Sequence, residues 1–170
     1  MNRAVFVDRD GTVIPDRGYL ATAEGVELLP GAGEGLAALA AAGFALILVT
    51  NQSGVGRGYF GVEEVVRQHA RLAELLAPFG VRWAAVRVCP HRPEEDCDCR
   101  KPRPGMLVSA AAELGVGLAD SYMIGDKESD IAAGLAAGCR AVSVGPAPLP
   151  GAHLHAADLH AAAEAILREA

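Results

Sequence analysis

Apolar and polar positions follow two periods along this chain, and the two take turns. Residues 4–8 (AVFVD) form a short apolar run that ends in a carboxylate, and residues 44–50 (FALILVT) form a continuous one. Uninterrupted runs of this length suit strands buried on both faces of a parallel sheet. Similar runs at 81–88 (VRWAAVRV), 121–126 (SYMIGD) and 139–144 (CRAVSV) predict three more strands. Between them lie Ala/Leu-rich stretches with helical spacing. One covers 33–43 and closes at Gly43. Another covers 62–80, with apolar positions at Val62, Val65, Val66, Leu72, Leu75 and Leu76. Residues 104–115 open on Pro104 and close on Gly115, the usual asymmetry of helix ends. Residues 129–138 and 156–170 predict two further helices, and 145–153 (GPAPLPGAH) reads as a loop. Alternation of this kind implies an α/β fold with a five-stranded parallel sheet covered by helices on both faces.

The chain of 170 residues, 51% of them hydrophobic, is one domain's length and can bury a core without disulfides. A net charge of −6 argues against non-specific nucleic-acid binding, which needs excess Lys and Arg. The start, MNRAVFVDRDGT, lacks the apolar core of a secretion signal, and no run reaches the ~20 residues of a membrane span. The expectation is a monomeric cytoplasmic protein with no membrane or nucleic-acid partner.

In open parallel sheets a ligand sits beyond the carboxyl ends of the strands. Just past the predicted strands stand Asp8-Arg9-Asp10, Thr50-Asn51-Gln52-Ser53, Arg100-Lys101 and Gly125-Asp126-Lys127. Asp8 and Asp10 are two carboxylates that repel unless a cation lies between them. Mg²⁺ fits, because it takes oxygen ligands and keeps places for phosphate and water; Asp126 completes the set. A carboxylate so screened can attack phosphorus. The Thr50 hydroxyl and the backbone N–H groups from Asn51 onward suit phosphoryl oxygens. Lys101 supplies a cation.

Order and spacing of DRDGT, TNQSG, Lys101 and GDKESD resemble the haloacid dehalogenase-like phosphohydrolases over residues 5–144. The resemblance implies a Rossmann-like three-layer fold, with Asp8 as nucleophile and Asp10 as general acid and then base. Thr50 and Lys101 would steady the phosphoryl group. Mg²⁺ would be held by Asp8, Asp126 and the backbone carbonyl of Asp10. Asp130 would either orient a metal-bound water or cap the following helix.

Three of the four cysteines stand together as Cys89-x-His91-x₅-Cys97-x-Cys99. Three thiolates and an imidazole complete a tetrahedral zinc set with no open position, which is the pattern of a structural site. Cys139 reads as a small buried hydrophobe. His153, His155 and His160 read as solvent-facing. With the zinc loop at 89–99 and RKPRPGM behind it, the resemblance narrows to the histidinol-phosphatase-like subfamily, with no large cap domain. By that resemblance Asp16, Arg17, Gly18, Tyr19, Asn51, Gln52 and Ser53 contact substrate. Arg100 recognises a second phosphate or the sugar, and Lys127 binds the transferred phosphate. Arg57 tops a nearby loop. Arg17 and Arg100 suit a sugar bisphosphate, a heptose 1,7-bisphosphate losing its 7-phosphate, better than cationic histidinol phosphate. Histidinol phosphate is the alternative, and a zinc-stabilised binding module without chemistry is the third.

Overall fold

The computed structural model describes residues 2–170. Six strands are β1 (Ala4–Val7), β2 (Ala45–Asn51), β3 (Ala85–Cys89), β4 (Tyr122–Gly125), β5 (Arg140–Val144) and β6 (Leu154–Ala156). The helices are α1 (Ala32–Ala41), α2 (Ser53–Gly56), α3 (Val62–Leu76), α4 (Gly105–Leu114), α5 (Glu128–Ala137) and α6 (Leu159–Glu169). The strands form one parallel sheet in the order β3-β2-β1-β4-β5-β6. The chain therefore starts at the middle, runs outward to β3, then crosses back to β4 and runs outward the other way. The reversal lies between β1 and β4, and that crevice is where such sheets bind ligands.

The continuous apolar runs are explained by two covered faces. Val5, Val7, Leu46, Leu48 and Ile124 point into a core shared with Leu36 and Leu39 of α1, Leu72 and Leu76 of α3 and Ile166 of α6. Their neighbours Ala4, Phe6, Ile47, Val49 and Met123 point the other way, onto Met106, Leu107 and Ala110 of α4 and Ala133 of α5. With a strand period of two, no position is left for a polar side chain until the strand ends. Each fully buried Leu, Ile or Phe contributes about 1.5–3 kcal/mol relative to exposure.

The sheet has six strands, where the sequence pattern predicted five. β6 overlaps the HLH stretch at 153–155 and ends at Ala156; it pairs with β5 as Val142↔Leu154, Ser143↔His155 and Val144↔Ala156. Three residues, Leu154, His155 and Ala156, are too few to show a strand period. The histidines are exposed as expected, but they are tied to the sheet: Ala141 N–H donates to His153 Nδ1 at 2.9 Å, and His155 Nδ1 lies 2.9 Å from Ser143 Oγ. The predicted helix 62–80 ends at Leu76 and gives way to a turn over Ala77–Phe79. Its buried face is Val65, Gln68, Leu72 and Leu76, while Val62 and Val66 stay exposed. The strand expected at 81–88 begins only at Ala85. Cys139 is buried, and burial alone pushes its thiol up to about 12. Among the described residues no helix is long and apolar enough to cross a membrane.

Candidate active site

β1 ends at Val7 and β4 at Gly125, so Asp8 and Asp126 leave neighbouring strands at the point where strand order reverses. Carboxylate oxygens of Asp8, Asp126 and Asp130 lie within 4.8 Å of one another. The two glycines beside them are sterically required. A Cβ on Gly11, whose φ is +88°, would meet Asp126 Oδ2 at 2.1 Å, and one on Gly125 would meet the Asp130 Cβ at 2.3 Å. The backbone must come this close for the carboxylates to converge.

The three acids are not equivalent. Lys101 Nζ lies 2.7 Å from Asp130 Oδ1, and the Lys127 backbone N–H donates to Asp130 Oδ2 at 3.1 Å. Asp130 thus has both oxygens engaged, by Lys101 and by the start of α5, whereas Asp8 gives only Oδ1 to Lys101; this leaves Asp8 and Asp126 as the carboxylates open to a cation. Asp126 Oδ1 is buried with no hydrogen-bond partner. An orphaned carboxylate oxygen facing other acids is what a hard divalent cation would satisfy. Burial pushes the Asp8 carboxyl well above the usual carboxylate range; the Lys101 charge opposes this, while Asp130 and Asp126 add to it. Burial likewise raises Asp126, with Asp130 contributing. A cation between them would reverse both shifts.

Lys101 is almost fully buried, and its ammonium donates to Asp8 Oδ1 at 2.7 Å, to the Val49 carbonyl at 2.8 Å and to Asp130. All three of its donors are therefore engaged, and none remains for a phosphoryl oxygen. Asn51 fixes its backbone from both sides: Asn51 Nδ2 donates to the Lys101 carbonyl and the Lys101 N–H donates to Asn51 Oδ1, each at 3.1 Å. Gln52 Nε2 donates to Thr50 Oγ1 at 2.8 Å and to Asp10 Oδ2 at 2.9 Å.

Above this floor lies a cavity of about 310 Å³ lined by Asp10, Asp16, Gly18, Tyr19, Asn51, Gln52, Ser53, Arg100 and Lys127, with Gly54 and Ser129. Most of the substrate-contact residues expected from sequence therefore share one opening. Thr50 and Lys101 lie buried away from that lining, and Arg17 does not join it, because its guanidinium is paired with Glu27 at the surface. Lys127 Nζ is 3.0 Å from Asp16 Oδ2. Burial works against the Asp16 charge, but the Gly18 N–H and Lys127 outweigh it and hold the carboxyl below its usual range. Tyr19 packs edge-on against Tyr59 with ring centroids 4.9 Å apart, and Arg57 sits 5.6 Å over the Tyr19 ring.

Sequence reasoning missed Arg9. It is 1% exposed and forks onto Asp10, with Nε to Oδ2 and Nη2 to Oδ1 both at 3.0 Å. The available signal was a polar Gln68 on the buried stripe of α3, where Gln68 Oε1 accepts from Arg9 Nη1 at 2.8 Å. Asp10's carboxylate accordingly turns to Arg9 and Gln52, not to the Asp8–Asp126 pair.

Cys89 ends β3, and the loop to α4 returns three more donors to it. Cys89 Sγ lies 2.9 Å from Cys99 Sγ and 3.6 Å from Cys97 Sγ, which is itself 3.6 Å from Cys99 Sγ; His91 Nδ1 is 3.2 Å from Cys99 Sγ and 3.5 Å from Cys89 Sγ. All four cysteines are free of disulfides. Three thiol sulfurs and one imidazole nitrogen, all within 4.8 Å of one another, form a donor set of the kind that holds a structural zinc ion.

Residues 98–165 match the HAD-hydrolase-like family model. The D-glycero-β-D-manno-heptose-1,7-bisphosphate 7-phosphatase of Pasteurella multocida is 42% identical over 140 residues, covering 79% of this chain and 76% of that protein. Its namesake from Helicobacter pylori J99 is 44% identical over 135 residues, covering 79% and 78%. The crystal structure of D,D-heptose 1,7-bisphosphate phosphatase from B. bronchiseptica, complexed with magnesium and phosphate, superposes with a TM-score of 0.89 at 34% identity over the whole of both chains. The Burkholderia thailandensis heptose phosphatase superposes at 0.69 with 28% identity, covering 98% and 99%. With its strand-end aspartates at the sheet's reversal point and this degree of likeness, the chain belongs to the haloacid dehalogenase-like phosphatase family, among the heptose 1,7-bisphosphate 7-phosphatases.

Proposed function

We propose that this chain removes the 7-phosphate of D-glycero-β-D-manno-heptose 1,7-bisphosphate by way of a phosphorylated Asp8. The observation that carries the reading is the pairing of Asp8 with the orphaned Asp126 carboxylate, next in sequence to Lys127, which lines the cavity together with Asp10. Asp8, Asp126 and the backbone carbonyl of Asp10 would hold Mg²⁺, which when bound would screen the repulsion between the Asp8 carboxylate and the incoming phosphoryl oxygens.

Asp8 attacks phosphorus; the ester P–O bond breaks and its electron pair moves to the sugar's C7 oxygen, which takes a proton from Asp10. Asp10 then takes a proton from water as that water's oxygen attacks phosphorus, returning Asp8 and inorganic phosphate. The buried Lys101 holds the Asp8 carboxylate in line, acting on it directly in place of the substrate. The buried Thr50 hydroxyl accepts from Gln52 Nε2, which also donates to Asp10 Oδ2, so Thr50 steadies the amide beside Asp10. Arg100 brings positive charge to the cavity wall, which suits a substrate with a second phosphate, while Lys127, paired there with Asp16, is placed for the transferred one. Arg57 packs on Tyr19 and Arg17 pairs with Glu27, so neither adds to that argument. Cys89, His91, Cys97 and Cys99 would hold a structural Zn²⁺ that fixes the loop carrying Arg100 and Lys101. Residues 1–170 act in this reading as a single domain, as a monomer in the cytoplasm.

The test is phosphate release with and without Mg²⁺ on the β and α heptose 1,7-bisphosphates and on histidinol phosphate. The β heptose should give the highest kcat/KM, and Asp8→Asn should bind substrate without turnover. A higher kcat/KM on histidinol phosphate would assign the chain to histidinol phosphate hydrolysis. No Mg²⁺-dependent release from any of the three would leave only a binding role.

A further inference from the structure

We infer that Arg9 is a positioning residue that presents Oδ1 of Asp10 as the proton-transferring atom, and that α3 anchors Arg9 for this task. The inference rests on the phosphatase reading above. A buried guanidinium is costly unless its donors are met by fixed partners. Arg9 meets them from two parts of the chain, the neighbouring Asp10 and helix α3. Its Nε and Nη2 go to Asp10, its Nη1 donates to Gln68 Oε1 at 2.8 Å and lies 3.3 Å from His69 Nε2. Gln68 is itself fixed, because its Nε2 donates to the Leu20 carbonyl at 2.9 Å. Burial and the neighbouring Arg9 charge hold the His69 imidazole down at about 4, with Asp10 opposing, so the neutral ring can accept from Arg9.

The two oxygens of Asp10 are left unequal. Oδ2 receives both Arg9 Nε at 3.0 Å and Gln52 Nε2 at 2.9 Å, which fills its two acceptor positions. Oδ1 receives only Arg9 Nη2 and keeps one position open. Asp10 lines the cavity and its side chain is 14% exposed, so an incoming ester oxygen can reach it. In the first step the proton passes from Oδ1 to the ester oxygen as the P–O bond breaks and its electron pair moves onto that oxygen. This leaves Asp10 as the carboxylate that the Arg9 fork already fits. In the second step Oδ1 takes a proton from the attacking water as the bond between phosphorus and Asp8 breaks.

A purely structural ion pair would slow every substrate alike when disturbed. A positioning role is felt only where the leaving group needs a proton. The experiment is single-turnover ester cleavage of the heptose 1,7-bisphosphate, an alkyl ester, beside p-nitrophenyl phosphate, whose phenolate departs without protonation. Arg9→Lys keeps the buried charge but cannot span both oxygens of Asp10. It should slow the alkyl ester about 10²-fold, at the low end for lost general-acid catalysis, with KM within about threefold, and leave the aryl ester within about threefold. Where Arg9→Lys does not fold, as judged by circular dichroism, Gln68→Met removes an anchor of Arg9 and should show the same split with a smaller loss, about tenfold. Equal slowing of both esters, or no slowing of either, overturns the inference. Wild-type protein that cleaves neither ester would instead overturn the phosphatase reading.

Discussion

Lys101→Met tests whether the site floor is held by charge. Methionine keeps most of the stem but removes an ammonium that lies 2.7 Å from Asp8 Oδ1, 2.7 Å from Asp130 Oδ1 and 2.8 Å from the Val49 carbonyl. Both carboxylates are buried, so neither gains water in exchange. Breaking a buried ion pair from one side leaves an uncompensated charge and costs about 3–5 kcal/mol. At about 2–4 °C per kcal/mol for a chain of this size, Tm should fall by roughly 6–20 °C. Urea unfolding followed by circular dichroism, in EDTA, measures the loss directly. Adding Asp130→Asn removes one stranded charge, so the double variant should regain at least about 1 kcal/mol over Lys101→Met, within the usual range for contacting residues. Mg²⁺ should narrow the gap further by neutralising Asp8. A loss under about 1 kcal/mol in Lys101→Met, or a double variant less stable than the single one, would refute the reasoning.

Two further perturbations probe the flanks of the site. Cys99→Ser, or chelation of zinc, should lower Tm and raise KM several-fold while Mg²⁺ binding at Asp8 and Asp126 survives, since the cluster holds the loop and not the metal floor; full activity in protein shown to be zinc-free would contradict this. His69 gives a pH effect of defined sign. Its imidazole is held at about 4, first by burial and then by Arg9, against an ordinary 6.5, so folded protein keeps it neutral while the unfolded chain takes up a proton. Its contribution is present above pH 6.5 and is lost as pH falls towards 4, by up to about 3 kcal/mol at about 1.4 kcal/mol per unit of pKa. His69→Gln keeps an acceptor for Arg9 without titrating, so its stability should fall less between pH 7 and 4; parallel curves for the two proteins would contradict the assignment.

What could be read from sequence was whatever rests on period and on strand-end position. A strand with both faces covered has no polar residue until it ends, so Asp8, Thr50 and Asp126 announce themselves as the first polar groups past the apolar runs. The Cys-x-His…Cys-x-Cys set was legible because its donors lie within eleven residues of one another, and the structure brings them together. What was not legible depends on partners far apart in sequence. Arg9 had no expected role in the sequence; its meaning appears only when α3 delivers Gln68 and His69 to it. Lys101 was expected to steady the phosphoryl group; in the structure Val49 of β2 and Asp130 of α5, 52 residues before and 29 after it, accept from its ammonium beside Asp8. Arg17 was expected by resemblance to contact substrate, and in the structure it pairs with Glu27 at the surface, outside the cavity lining. β6 escaped because three residues carry no measurable period, although pairing with β5 is enough to form it. Short-range pattern thus identifies which groups stand at the site, while the protonation and orientation of each are set by long-range partners. The roles of Arg9 and Lys101 in that second layer are what the ester-selective and double-variant measurements separate.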